Sequence, residues 1–126
     1  MLHTRRQFIQ WLGAITLTTL TTQPFSKVRK LNMYGLIGKI LSSDRDALST
    51  ILIEGVAGMP GCISYVVAKD KEDQSALWIT EVWESAEQHK ASLSLPSVQD
   101  AISKGRPLIT GFAERFETEP LGGFGV

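Results

Sequence analysis

Polar and apolar positions alternate most clearly between Ala76 and Pro96, where the chain reads ALWITEVWESAEQHKASLSLP. Over its first half the period is two, as in a β-strand: Leu77, Ile79, Glu81 and Trp83 fall on one face, and Trp78, Thr80 and Val82 on the other. Ser85 ends that pattern. Ser85 and Gln88 have the spacing of a capping box, and Ala86, His89 and Leu93 recur at helical steps until Pro96. Glu81, Trp83 and His89 are thus predicted to lie around a strand-to-helix junction.

The same reading extends to both sides. Tyr34 to Leu41 is predicted as a strand, and Ser43 or Asp44 caps a helix with Leu48, Ile51, Leu52 and Val56 on one stripe. Gly58 ends that helix and Met59-Pro60-Gly61 turns the chain into a second strand, Cys62 to Ala68, with Tyr65 and Val67 on one face. Lys69 to Ser75 forms a charged connection to the third strand. Pro96 breaks the second helix, Ser97 caps a further turn or two through Ile102, and a last strand runs from Leu108 to about Glu117, before an extended tail to Val126. Phe112 and Phe116 are predicted on one side of that strand, Ile109 and Ala113 on the other.

The order strand, helix, strand, strand, helix, strand is the ferredoxin-like βαββαβ plan of the α+β class, with two helices over one face of an antiparallel sheet. Its other face is left bare and, with apolar residues there, predicts a homodimer packed sheet to sheet.

Charge divides the chain. Residues 1–32 hold Arg5, Arg6, Lys27, Arg29 and Lys30 and no acid; residues 33–126 hold the other eight bases and all thirteen acids. An acidic domain lacks the clustered cations that nucleic acid requires. Thr4-Arg5-Arg6-Gln7-Phe8-Ile9, leading into an apolar run to Thr22, resembles a twin-arginine export signal. That run is shorter and more polar than the roughly 20 apolar residues of a membrane span. Residues 1–32 are therefore expected to be a signal peptide or an uncleaved extension, the one route to a membrane, giving a periplasmic or otherwise exported protein. The alternative is translation from Met33 and a cytoplasmic protein. The single Cys62 allows no internal disulfide and reads as a small buried residue.

Met59-Pro60-Gly61-Cys62 with Tyr65, Glu81-Val82-Trp83-Glu84-Ser85, Ser94-Leu95-Pro96-Ser97-Val98 and Arg106-Pro107-Leu108 resemble the antibiotic biosynthesis monooxygenase (ABM) family, in particular its quinol-monooxygenase-like members. The resemblance covers Met33 to Glu117. It implies a dimeric α+β barrel with a pocket between sheet and helices. It also implies insertion of one oxygen atom from O2 into a small quinol, phenol or anthrone, with no metal, flavin or haem as cofactor.

Such chemistry takes its electrons from the substrate, so the protein supplies a base, a dry aromatic pocket and a donor for the anion. His89, with a side chain that titrates near neutrality, and Tyr65 are the candidate catalytic residues. Trp78, Trp83, Glu81 and Ser92 are the candidate substrate contacts, Ser92 standing where many relatives carry a histidine. Each has a plainer reading: a solvated His89, a Glu81 paired with Arg106 or Arg115, a Tyr65 in the core, and two tryptophans that point to opposite faces. Two other functions stay open, an isomerase of a small signalling metabolite and a non-catalytic small-molecule or stress-related barrel. Haem degradation ranks low, since Tyr34 to Leu41 has no asparagine.

Overall fold

The computed structural model describes residues 32–126. The expected export segment lies outside the described residues, Asn32 excepted. Strand β1 (Tyr34–Ser42) leads to helix α1 (Arg45–Gly55), then β2 (Cys62–Lys69), β3 (Ala76–Trp83), α2 (Ala86–Ser92), α3 (Pro96–Gly105), a single 3-10 turn (Arg106–Leu108) and β4 (Ile109–Thr118). The sheet order is β2-β3-β1-β4, antiparallel throughout, which is the ferredoxin-like arrangement.

Local chemistry accounts for most boundaries. Of the two expected caps for α1, Asp44 serves: its carboxylate accepts from the Ala47 N–H at 3.0 Å. Ser85 caps α2 by accepting from the Gln88 N–H at 3.1 Å. The reciprocal half of that capping box is missing, because Gln88 Oε1 has no partner. Its side chain instead covers Gly61, whose φ of +83° and lack of a Cβ allow the close approach.

Two expectations need correction. The segment after Pro96 is a ten-residue helix, not a turn or two capped by Ser97; Leu95 is its N-cap and Pro96 occupies the first turn. Proline is at home there, since its missing N–H would have no intrahelical partner anyway. The second helix of the plan is thus divided into α2 and α3. In β4 the register against β1 shifts between Lys39 and Ile40 and again between Leu41 and Ser42. An inserted residue reverses the facing parity of a strand. Phe112 therefore joins Ile109 on the helix side, packed on the core, while Phe116, opposite Ile37, stays on the open side. The alternation that placed Phe112 with Phe116 counted through a bulge.

Ile40, Leu48, Leu77, Ile79 and Ile109 form one buried cluster, and Tyr34, Leu36, Met59 and Trp83 a second. Helices α1 and α3 cross closely because Gly55 faces Ala101, whose Cβ would lie 2.5 Å from any Cβ at position 55. On the bare side of the sheet Val66 is 52% and Phe116 50% exposed, beside the half-buried Ile37, Trp78 and Val82.

Candidate functional site

The β3 alternation directs Leu77, Ile79, Glu81 and Trp83 beneath the helices, and all four are buried. Between this face and the helices lies a cavity that opens to the surface. Apolar side chains such as Leu52, Val56, Met59, Val98 and Ile102 make its walls, and Tyr65, Glu81, Trp83, His89 and Ser92 also line it.

At its polar end, Trp83 Nε1 donates to Glu81 Oε1 at 2.7 Å. His89 Nε2 lies 3.8 Å from the same oxygen. The imidazole is held between two rings, with centroids 5.3 Å from Tyr34 in a tilted contact and 5.3 Å from Trp83 edge-on. Ser92 Oγ donates to the carbonyl of His89 at 2.6 Å, so the hydroxyl proton of this expected substrate contact is already engaged. Beyond Tyr34, its hydroxyl donates to Glu117 Oε2 at 2.7 Å and accepts from Arg115 Nη2 at 3.4 Å, and the guanidinium lies 3.6 Å from Glu117.

Burial decides the protonation states. Loss of water pushes the Glu81 carboxyl up to about 7, against the opposing pull of the Trp83 hydrogen bond and of Arg115. Loss of water, aided by the positive charge of Arg115, drives the His89 imidazole down to about 4. The two are therefore not an ion pair near neutral pH: His89 is uncharged, and the carboxyl carries the titration. The expectation that His89 titrates near neutrality fails for this reason. Tyr65 is raised well above its ordinary value by burial, then by the charges of Glu81 and Cys62, so its proton stays in place. Of the residues brought together, the one matched to general-base work at neutral pH is Glu81, expected only as a substrate contact.

Trp78 is placed elsewhere. It points to the open face, where its Nε1 donates to Asp70 Oδ2 at 2.7 Å and Lys39 Nζ sits 5.6 Å above its ring. It is no part of this cavity's lining. Sequence reasoning missed Tyr34 and Glu117 and named Arg115 only as a partner for Glu81; the pairing of β1 with β4 brings Arg115 and Glu117 beside Tyr34 and His89. Among the described residues no group of three or more His, Cys, Asp or Glu side chains is arranged to hold a metal ion, and no helix is long and apolar enough to cross a membrane.

A family profile for antibiotic biosynthesis monooxygenases matches residues 45–104. A Chloroflexus aurantiacus J-10-fl crystal structure, assigned to the same family, is 64% identical, with a TM-score of 0.72 over 73% of this chain and 96% of that one. The cofactor-independent oxygenase SnoaB of Streptomyces nogalater shares the fold at 11% identity, with a TM-score of 0.63 over 74% of this chain and 97% of that one. PA3566 of Pseudomonas aeruginosa does so at 20% identity, with a TM-score of 0.62 over 72% and 96%. Comparison with curated proteins gives no match. The chain belongs to the antibiotic biosynthesis monooxygenase family.

Proposed function

We propose that the protein is a cofactor-independent monooxygenase acting on a small quinol, phenol or anthrone, with Glu81 as the base. One observation carries this reading: the Glu81 carboxyl is buried in an apolar, aromatic-lined cavity, where loss of water pushes it up to about 7. A base works best when its pKa lies near the operating pH, and a cavity that excludes water strengthens its pull on a weakly acidic proton. For an anthrone-like CH2 the steps balance as follows. Glu81 takes one proton, and the carbanion passes one electron to O2. The radical pair joins as a peroxide anion, which recovers the proton from Glu81 to give the hydroperoxide. Loss of the remaining C–H proton with cleavage of the O–O bond releases water. One CH2 and one O2 become one C=O and one H2O. Trp83 holds the carboxyl through its indole N–H, and the rings of Trp83 and Tyr65 offer a flat surface for the substrate.

The exposed Val66 and Phe116 support pairing of two copies through their open sheet faces. Export by the twin-arginine route rests on Thr4-Arg5-Arg6 and is checked by cell fractionation of an Arg5→Lys, Arg6→Lys variant.

The test is oxygen consumption with a panel of hydroquinones and anthrones, EDTA present, for wild type and Glu81→Gln. Turnover above autoxidation that drops about a hundredfold or more in the variant is expected of a general base. Absence of turnover on every compound would contradict the oxygenase and favour the isomerase or binding alternatives.

A further inference from the structure

The Nδ1 atom of His89 is buried and has no hydrogen-bond partner, although the residue lines the cavity. A buried polar atom without a partner is costly, and where it borders a cavity the missing partner is naturally a ligand group. Three neighbouring donors are engaged elsewhere: the Tyr34 hydroxyl with Glu117, the Trp83 indole N–H with Glu81, the Ser92 hydroxyl with the His89 carbonyl. The ring proton is best placed on Nε2, which lies 3.8 Å from the Glu81 carboxylate oxygen. Nδ1 is then a lone-pair acceptor, fixed in direction by the Tyr34 and Trp83 rings that hold the imidazole.

We propose that His89 Nδ1 is a specificity determinant that selects ligands bearing a free aromatic hydroxyl, by accepting its hydrogen bond, over counterparts whose oxygen is alkylated, oxidised to a carbonyl, or absent. This rests on the reading that the cavity is the substrate site. A hydroxyl satisfies Nδ1, whereas an ether or carbonyl oxygen turns a second lone pair toward it. The walls of Leu52, Val56, Met59, Val98 and Ile102 give all such rings the same apolar contact, so the discrimination falls on the polar atoms, and Glu81→Gln separates Nδ1 from the neighbouring carboxyl. The titratable and charged groups around His89 are Glu81 on β3, Tyr34 on β1, and Arg115 and Glu117 on β4.

The experiment is anaerobic calorimetric binding of 1-naphthol, naphthalene and 1-methoxynaphthalene to the full chain. Wild type, Glu81→Gln, His89→Phe, which keeps a ring between Tyr34 and Trp83, and His89→Gln, which restores an acceptor, are compared. Wild type is expected to bind naphthol about tenfold or more tightly than either analogue, the effect of one hydrogen bond to a buried acceptor. That preference should vanish in His89→Phe, return in part in His89→Gln, and persist in Glu81→Gln. Equal binding of the three compounds to wild type, or a preference unchanged in His89→Phe, would overturn the proposal. No oxygen is present, so loss of the oxygenase reading leaves the preference measurable, and loss of the preference leaves the oxygenase reading standing.

Discussion

Trp83 and Trp78 make the same bond on opposite faces of one strand. Each indole N–H donates to a carboxylate oxygen at 2.7 Å, Trp83 to Glu81 and Trp78 to Asp70. The carboxyls nevertheless move in opposite directions, Glu81 up to about 7 and Asp70 down to about 2. For Asp70 the leading cause is the backbone N–H of Asp73, with Trp78 and the backbone N–H of Glu72 adding to it, while burial opposes only weakly. Glu81 has one indole to set against near-complete removal of water. An identical hydrogen bond therefore accompanies a spectator carboxylate in one place and a candidate base in the other, and hydration with the number of donors makes the difference.

The largest expected effect is on activity. Glu81→Gln should lower oxygen uptake about a hundredfold or more, and Asp70→Asn should leave it within about twofold. A comparable loss in both variants would erase the functional contrast between the faces. Next comes stability in urea. Trp83→Phe empties part of a 1%-exposed site and strips Glu81 of its donor, which should cost about 2–3 kcal/mol, whereas Trp78→Phe at the half-buried open face should cost about 1 kcal/mol or less.

Stability against pH then separates the two members of the buried pair. Glu81, raised from 4.5 to about 7, contributes stability that is full below 4.5 and is lost as pH rises to 7. His89, lowered from 6.5 to about 4, contributes stability that is full above 6.5 and is lost as pH falls to 4. Between pH 4.5 and 6.5 the slopes oppose each other, and wild type should be nearly flat there. In that window Glu81→Gln should become more stable as pH rises and His89→Phe less stable, by about 2 kcal/mol in each case. Parallel slopes in the two variants would contradict the assigned states. Smallest of all, Lys39→Met should raise the Asp70 carboxyl by less than about one pH unit in an NMR titration, because Lys39, at 3.7 Å, is the weakest of the influences that hold it down.

Much of this was legible in the sequence. Period-two alternation is enough to place Glu81 and Trp83 together and Trp78 opposite, and the Ser85 cap is enough to turn His89 back over the strand. The bulges of β4 leave no mark in its alternation, which therefore puts Phe112 on the wrong side. The ten-residue α3 reads from sequence as only a further turn or two, because Pro96 signals both a helix break and a helix start. Most consequential, the roles of His89 and Glu81 depend on water removed by Tyr34 from β1 and by the helices above, a long-range property that residue type alone cannot convey. Taken by type, histidine was the natural base; in place, burial transfers that titration to the carboxyl.

The most direct measurement is a 13C NMR titration of glutamate side-chain carboxyls in wild type and Glu81→Gln, without substrate. The account predicts one carboxyl resonance in wild type with a midpoint near 7 that is missing from the variant. Ordinary acidic midpoints for every glutamate, with no such resonance, would contradict it.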